Sequence, residues 1–433
     1  MAAEKHIDER VFKWGTQTLS VQFPAAYQVE WICPHEITAT RSEEDIVNQA
    51  LDHPIGSLRL EAVVKPGNII AIIVNDVTRL WQKPQILLDH ILARLQQTGI
   101  KDQDIAIIVA TGMHRADFDE HLRSIVGSDN YGRMAVFDHD CRDPDQLVKA
   151  GHSPGGTPIL LNRRVVEADR VIVVGGIALH GVAGFSGGCK SVLPGVAGYE
   201  TIQQFHRLAF DDQFNLHPAV KPGSVKKNPG IPLMQAAARA AGVDFILNVI
   251  VGPNGRYLDA VAGDLIEAHR VGCRMARDYF LIPCPHKAPL VVGSVGGYPR
   301  DIEMYQSIKA LGNCADVAAK GGTIILLSQC AQGIGSDDWL AWMQLDDSQA
   351  IIQKLSREFS FAGFVALKTL TITSTYRVIL VSGLLPETVR RLHMEPAGSL
   401  NAALKTAGRD LPADTQVLAM PLAGSTVPYI DGN

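Results

Sequence analysis

The feature of this sequence that most constrains its fold is a series of short apolar runs rich in Val and Ile. In the first part of the chain they are NIIAIIV (68–74), DIAIIVA (104–110), MAVFD (134–138), RVIVVGG (170–176) and DFILNVIV (244–251). Continuous apolar runs of this length, separated by segments with helical periodicity, are typical of parallel strands that helices cover on both faces. The alternation predicts an α/β fold with mainly parallel sheets.

A second series of such runs begins after IPCPHKAP (282–289), a proline-rich stretch that predicts a stiff connector. Because 433 residues exceed what a single core usually supports, we expect two α/β domains. The first should span residues 1–275 and bind a cofactor. A hinge at 276–288 should lead to the second, residues 289–411. The sequence leaves open whether the tail, residues 412–433, returns to the first domain, since its strand-like run TQVLAMP could close either one.

The composition excludes several classes of protein. A net charge of −5 at pH 7 lacks the basic surface that nucleic-acid binding requires, so no nucleic-acid partner is expected. The N-terminus is charged from its fourth residue, and no apolar stretch reaches the ~18–20 residues of a membrane span. The seven cysteines form no CxxC pair, which indicates free thiols. These features predict a cytoplasmic enzyme with no membrane partner.

Polar side chains follow several of the predicted strands, at the edge of a parallel sheet where ligands bind. NDVTR (75–79) brings Asp76 and Arg79, while two further strands are followed by His114 and His180. Paired imidazoles can take a proton on one side of a substrate and return it on the other, as a racemase requires. A single histidine at such a place more often has no chemical role, and Asp76 could equally cap a helix, leaving Arg79 in solvent.

The loop AGFSGGCKSVLPGVAG (183–198) places Lys190 among small residues and comes close to a nucleotide-binding P-loop. Cys189 stands where that loop needs glycine, and the preceding strand ends too far upstream. We therefore do not expect a nucleoside triphosphatase. Cys189 is expected to pack in the core.

Two helical segments carry further polar candidates. A helix that begins near Tyr199 carries His206, which would be unremarkable alone. In YQSIK (305–309), Gln306 and Lys309 are three residues apart and share one helix face, as two residues that reach one ligand must. An exposed lysine on an amphipathic helix is the alternative.

The motifs NDVTR, GMHR, ALHGVAGFSGGCKSVLPG, FHR and YQSIK, in this order, resemble the nickel-pincer nucleotide-dependent lactate racemase family of 2-hydroxyacid racemases and epimerases. The resemblance implies a pyridinium-3-thioamide-5-thiocarboxylic acid mononucleotide joined covalently to Lys190, with nickel bound by His206. It also implies that the backbone N–H groups of Ser186, Gly187 and Gly188 bind the cofactor phosphate.

The same resemblance implies the chemical roles of the remaining residues. His114 and His180 would serve as the two acid/bases for reversible hydride transfer, with Asp76 steadying Arg79 or a histidine. The implied substrate-binding residues are Arg79, Lys309, Gln306 and Tyr305. The site is expected in the cleft between the domains. The implied partners are a small 2-hydroxy acid and the proteins that make the cofactor and insert nickel.

Two other functions remain open from the sequence. Lys190 could form the Schiff base of a pyridoxal phosphate enzyme. The chain could also be a non-catalytic cofactor-binding homologue, although a pure binder needs neither His114 nor His180. The substrate, lactate or a larger acid, and the choice between racemisation and epimerisation are not determined. Cys189 departs from the three glycines that usually precede the lysine in the family.

Overall fold

The computed structural model describes residues 11–35, 41–114, 119–211, 215–252, 254–345 and 347–430. The chain divides into two compact units. The first unit is Ile37–Tyr279, and the second combines Met1–Glu36 with Phe280–Asn433. Each unit is built around its own mainly parallel sheet, as the Val/Ile-rich runs predict.

The strands, in chain order, are β1 Val11–Trp14, β2 Gln17–Ser20, β3 Gln28–Trp31, β4 Ile70–Asn75, β5 Ile105–Ala110, β6 Ala135–Asp138, β7 Leu147–His152, β8 Pro158–Asn162, β9 Arg170–Gly176, β10 Leu179–His180, β11 Gly184–Phe185, β12 Val243–Val251, β13 Tyr257–Gly263, β14 Leu281–Pro283, β15 Ala288–Ser294, β16 Ala318–Leu327, β17 Arg377–Val381, β18 Glu395–Ala397, β19 Gln416–Met420 and β20 Val427–Tyr429.

The α-helices are α1 Glu43–Asp52, α2 Leu60–Val63, α3 Pro84–Gln97, α4 Asp119–Val126, α5 Ser128–Arg133, α6 Arg163–Val166, α7 Tyr199–Arg207, α8 Ile231–Ala240, α9 Glu267–Phe280, α10 Met304–Val317, α11 Asp337–Met343, α12 Ser348–Arg357, α13 Phe361–Thr375, α14 Pro386–Arg391 and α15 Leu400–Ala407. Short 3₁₀ turns lie at Val77–Gln82, Asp102–Asp104, Pro144–Gln146 and Gly188–Ser191.

The first unit contains a sheet in the order β13-β12-β9-β4-β5-β6. All neighbouring strands are parallel except β13, which runs antiparallel to β12. Ile72 in β4 lies between Ile107 and Ile172 and is fully buried, because helices cover this part of the sheet. The chain proceeds from β4 to β5 on one side and to β9 on the other. The order therefore reverses between β4 and β9, where ligand sites of such sheets lie.

The second unit contains a parallel sheet in the order β18-β17-β16-β15-β19-β3. Its core includes Leu290, Ile325 and Ile379 from three adjacent strands, packed against α15. The predicted runs of this part of the chain all contribute strands here; they are PLVVGSVGG (289–297), GGTIILLSQ (321–329), YRVILVSGL (376–384) and TQVLAMP (415–421). These strands are β15, β16, β17 and β19.

The division of the chain differs from the predicted one at both ends. Residues 28–31 form β3, which pairs with β19, so the described N-terminal strands belong to the second unit and not to a domain spanning residues 1–275. The tail from residue 412 also remains in the second unit, because β19 pairs with β15. These short strands carry no long Val/Ile run, and their pairing joins distant parts of the chain.

The proline-rich connector is also more ordered than its composition predicts. Residues 281–283 form β14, which pairs in parallel with β20, and the N–H of Cys284 donates to the carbonyl of Tyr429 at 2.7 Å. The segment is thus tied to the second unit on the C-terminal side of the unit boundary. None of the helices in the described ranges has a stretch long and apolar enough for a bilayer crossing.

Candidate active site

Asp76 is the first residue beyond β4, at the reversal point of the sheet. It stands in the N-cap position of the turn Val77–Gln82, but its side chain makes no capping hydrogen bond. Its carboxylate instead accepts a hydrogen bond from the Thr78 hydroxyl at 2.6 Å and contacts Nδ1 of His114. The buried side chain therefore acts in a polar cluster and not as a helix cap.

The strand register explains why Asp76 and His114 meet. Asn75 pairs with Ala110, so the chain leaves β4 and β5 side by side. A carboxylate only accepts hydrogen bonds, so Nδ1 of His114 carries a proton, and in the neutral ring Nε2 presents a lone pair. The His114 side chain is 56% exposed. Burial raises the pKa of Asp76, but the hydrogen bonds from His114 and Thr78 outweigh it and the pKa is lowered.

Arg79 lies in the same turn, where its backbone departs from helical geometry at φ −118° and ψ 18°. Its Nη1 donates to the carbonyl of Thr78 at 3.2 Å and to the Thr78 hydroxyl at 3.0 Å. The Asp76 side chain is thus hydrogen-bonded to a histidine. Arg79 lowers the pKa of Asp76 through its charge, and the N–H of Arg79 donates to the Asp76 backbone carbonyl at 3.0 Å. The guanidinium edge that Thr78 leaves open can still bind a carboxylate.

Nδ1 of His180 is a hydrogen-bond acceptor, whereas Nδ1 of His114 is a donor. His180 lies in β10, which forms a small hairpin with β11. Its Nδ1 accepts hydrogen bonds from the N–H groups of Val182 at 3.2 Å and Ala183 at 3.1 Å. Because Nδ1 is an acceptor, the proton of the neutral ring is on Nε2. A doubly protonated ring would place its Nδ1 proton against these two N–H groups.

Lys190 lies in the turn Gly188–Ser191, and the structure places it near Asp76 and Arg79. In the described part of the chain its Nζ makes no hydrogen bond. Burial lowers the pKa of Lys190 to about 8, with a further lowering from the charge of Arg79 that Asp76 partly offsets. A substantial fraction of this amine is therefore neutral near physiological pH, which makes it a nucleophile.

Cys189 belongs to the same turn, and its side chain packs in the interior. It is 6% exposed, and burial raises the pKa of its thiol to about 12. The side chain thus points away from solvent and remains a neutral thiol, in keeping with the predicted packing role. A residue larger than glycine is accommodated here because its side chain enters the core.

His206 lies on α7, which begins at the predicted Tyr199. The helix is fixed at its start, where the Thr201 hydroxyl accepts a hydrogen bond from the N–H of Leu160 at 2.9 Å. His206 is 7% exposed, and burial, together with the charge of Lys190, lowers its pKa to about 3. The imidazole is therefore neutral at physiological pH, which is the state that binds a metal.

The loop N–H groups implied for phosphate binding are largely used within the protein. The N–H of Ser186 donates to the carbonyl of Ala178 at 2.8 Å, and that of Gly188 donates to Oδ1 of Asn248 at 2.9 Å. A donor engaged inside the fold is not available to a ligand without loss of that bond. Ser186 and Gly188 thus shape the loop, and a phosphate needs other donors.

The other predicted substrate-binding residues lie on α10 of the second unit. Gln306 and Lys309 are exposed on one face of this helix, as their spacing predicts, and Tyr305 is half-buried. The Tyr305 ring packs against Trp339 at a centroid distance of 5.8 Å. Burial, with the nearby charges of Glu303 and Asp338, raises the pKa of Tyr305 to about 12. Its phenol is therefore a hydrogen-bond donor at neutral pH.

Within the described ranges no group of three or more His, Cys, Asp and Glu side chains could hold a metal ion. A metal at His206 would therefore take most of its ligands from a bound group. Sequence reasoning missed Asn248 and His269, which contact the Lys190 loop from below. Asn248 interrupts the apolar run that follows Asp244 in β12, and that interruption was the available signal.

Comparisons with known proteins agree with this architecture. Residues 14–216 match the family described as "Lactate racemase N-terminal domain", and residues 284–427 match "Lactate racemase C-terminal domain". The lactate racemase of Lactiplantibacillus plantarum is 32% identical over 372 residues, which cover 84% of this chain and 86% of that protein. The lactate racemase of Thermoanaerobacterium thermosaccharolyticum is 32% identical over 386 residues, with 88% and 89% covered.

Solved structures extend the comparison to the fold. The lactate racemase apoprotein from Thermoanaerobacterium thermosaccharolyticum superposes with a TM-score of 0.88 at 30% identity, covering 97% of this chain and 99% of that one. A protein from Thermotoga maritima gives a TM-score of 0.64 at 18% identity, covering 92% and 100%, and shares the fold. Fold and relatives together define the class of protein as an isomerase, a racemase. The chain belongs to the lactate racemase family.

Proposed function

We propose that this protein racemises or epimerises a small 2-hydroxy acid by reversible hydride transfer, with a nickel-pincer nucleotide tethered to Lys190. The observation that carries the proposal is the pairing of a partly neutral amine with a neutral imidazole. Lys190 has a pKa lowered to about 8, and its charge acts on the buried His206. Lactate is the first substrate to test, because the relatives are named lactate racemases.

The residues present fit the proposed cofactor. A neutral amine is what a covalent tether requires, and Lys190 lies in a loop of small residues beside His206. His206 offers one neutral nitrogen, and no protein cluster in the described ranges competes for the metal. When bound, the group supplies a hydride acceptor and a nickel ion held by soft sulfur ligands.

In this proposal His114 is the base, which the contact of its Nδ1 with Asp76 supports. Its Nε2 lone pair accepts the hydroxyl proton as the α-hydrogen leaves with its electron pair, giving a planar 2-keto acid. The positive charge that forms on the ring is stabilised by the Asp76 carboxylate. When hydride returns to the opposite face, the alkoxide oxygen of the inverted product takes its proton from the second histidine, His180 in its protonated form, while His114 releases its proton to solvent.

His180 serves the other side of the substrate in this proposal. In this proposal its Nε2–H donates a hydrogen bond to the keto oxygen. For His180 to take a proton at Nε2, as exchange of roles demands, its Nδ1 must be protonated while the N–H groups of Val182 and Ala183 point at it. The two histidines therefore differ in which ring nitrogen the fold holds as a donor and which as an acceptor.

The two side chains proposed to bind the substrate carboxylate are cations with different geometry. Arg79 offers a planar fork suited to two carboxylate oxygens, and Lys309 offers a point charge. Gln306 and the Tyr305 phenol are the proposed hydrogen-bond donors on α10. All four residues position the substrate and take no part in proton transfer.

The experiment that tests the proposal follows the α-hydrogen. Cofactor-loaded protein is incubated in ordinary water with one enantiomer of lactate carrying deuterium at C2, and the product is analysed by chiral chromatography and mass spectrometry. Hydride transfer predicts that the inverted product keeps its deuterium. Inverted lactate that has lost deuterium to solvent would show proton abstraction at carbon and would refute the mechanism. If cofactor-loaded protein does not invert lactate, the same experiment is repeated with larger 2-hydroxy acids.

A further inference from the structure

The loop that carries Lys190 rests on two polar side chains that have no place in the chemistry above. Asn248 projects from the middle of β12 and is fully buried, while His269 projects from α9 and is half-buried. Burying polar groups costs free energy unless they are hydrogen-bonded. Each side chain makes one hydrogen bond to the backbone of this loop.

Asn248 fixes the loop from the sheet side. Its Oδ1 accepts the N–H of Gly188 at 2.9 Å, and its Nδ2 donates to the carbonyl of Leu247 at 2.9 Å. The second bond orients the amide so that its oxygen faces the loop. Gly188 is two residues before Lys190, so this bond holds the backbone directly upstream of the amine.

His269 fixes the loop from the helix side. Its Nε2 lies 2.9 Å from the carbonyl oxygen of Ser186. A carbonyl only accepts, so Nε2 carries the proton and Nδ1 is unprotonated, with the Cys273 sulfur 3.7 Å away. Burial lowers the pKa of His269, which keeps the ring neutral and its donor in place.

These side chains explain why residues 187 and 188 of the loop are glycines. A Cβ on Gly187 would lie 2.6 Å from Oδ1 of Asn248, and a Cβ on Gly188 would lie 2.6 Å from Cγ of His269. Both glycines also have positive φ, at 73° and 51°. The small residues before Lys190 are thus required by what lies beneath the loop, as well as by its backbone conformation.

We propose that Asn248 and His269 are positioning residues that hold the Ser186–Gly188 backbone so that the amine of Lys190 stays in its desolvated place. They act through the loop and touch neither substrate nor cofactor. The inference rests on the proposed function in one respect, the reason why the amine is held there, which is attachment of the cofactor. The effect of Asn248 and His269 on the Lys190 amine can be tested without the cofactor.

The test compares how fast Lys190 reacts in variants of the full-length chain. Trace acylation with acetic anhydride near pH 8, the pKa of Lys190, followed by peptide mass spectrometry, gives the rate for each lysine. The variants His269→Leu and Asn248→Leu each remove one bond to the loop. His269→Gln keeps an amide donor that can reach Ser186. Leu247→Ala is the control, because this residue faces the apolar core from the opposite side of β12.

Loss of either bond should slow acylation of Lys190 on the order of tenfold, the effect of losing one buried hydrogen bond, because the released amine regains water and its ordinary protonation. His269→Gln should react within about twofold of the unaltered chain. Leu247→Ala should lower the melting temperature and leave the acylation rate unchanged. His269→Asn, whose amide is too short to reach Ser186, replaces the leucine variant if that one does not fold.

Two results would overturn the inference: leucine variants that acylate as fast as the unaltered chain, or a Leu247→Ala variant that slows equally. Failure of the proposed function has a different signature. In that case the unaltered chain produced with the cofactor-synthesis proteins would show no added mass on Lys190, while the acylation rates would still depend on Asn248 and His269.

Discussion

At the scale of single residues, the contrast between His114 and His180 determines how the proposed chemistry can run. The Asp76 carboxylate accepts a hydrogen bond from Nδ1 of His114, whereas Nδ1 of His180 accepts hydrogen bonds from two backbone N–H groups. Both histidines could be located from the sequence because each follows a strand. Their unequal states could not be predicted, since they depend on neighbours that only the folded loops bring together.

The tautomers of the two histidines can be observed directly. In ¹⁵N-histidine-labelled protein above the pKa of the rings, ¹H–¹⁵N correlations should show the proton of His114 on Nδ1 and that of His180 on Nε2. The variants His114→Gln and His180→Gln assign the signals. The same tautomer in both rings would contradict the asymmetry described for this site.

Replacement of Asp76 tests the acid/base pair. Asp76→Asn removes the charge that stabilises protonated His114 and can impose the wrong tautomer, so kcat should fall by about 10²–10⁴ with a smaller change in KM. Steady-state racemisation assays on cofactor-loaded protein measure this loss. The exposed Asp129→Asn, a substitution of the same chemistry on α5, should retain full activity. Equal activity of the Asp76 variant would exclude a role for the pair.

At the scale of structural elements, the buried strands were predictable because Val/Ile-rich runs leave little alternative to parallel pairing. Helix α13 shows what such reasoning misses. Its segment TLTITST is rich in β-branched residues, yet it is helical, with the Thr369 and Thr371 hydroxyls bonded to carbonyls four residues earlier. Tertiary contacts of this helix, such as Gly363 packed against Trp342, outweigh the preference of β-branched residues for strands.

The hairpin of β10 and β11 should depend on one glycine. Gly184 has a φ of 76°, and a Cβ there would lie 2.1 Å from the carbonyl oxygen of Ser224. Gly184→Ala should therefore destabilise the protein by about 2–4 kcal/mol, measured by chemical denaturation. Gly181→Ala is the matched control in the same hairpin, since nothing lies within 4 Å of its added Cβ. Equal stability of the two variants would contradict the described backbone.

His139 links the end of β6 to the segment that follows Lys190, and it gives a prediction for pH. Its Nε2 donates to the carbonyl of Ala197 at 3.0 Å, and burial lowers its pKa from 6.5. Stability from the neutral ring is fully present above pH 6.5, the unfolded value, and declines as the pH falls toward the folded pKa.

His139→Gln keeps a donor but does not titrate, so the free energy of unfolding should depend less on pH below 6.5 than in the unaltered chain. Denaturant titrations across this range compare the two proteins. His152→Gln, an exposed histidine on β7, should leave the slope unchanged. A slope unaffected by His139→Gln would show that this ring is not held neutral by the fold.

At the scale of the whole molecule, the two-unit α/β architecture followed from chain length and strand rhythm, but the composition of the units did not. The second unit recruits β3 from the N-terminus, although Gln28 and its partner Gln416 are far apart in sequence. Short edge strands carry no local signal for such pairing. The identity of the 2-hydroxy acid likewise depends on side-chain placement that motifs do not specify.

The central claim is that Lys190 carries the cofactor, and intact-protein mass tests it most directly. Protein produced together with the cofactor-synthesis and nickel-insertion proteins should show one added mass that peptide mapping assigns to Lys190, with about one nickel per chain. Lys190→Ala should show neither the added mass nor stoichiometric nickel. Fully active protein with an unmodified Lys190 would contradict the account.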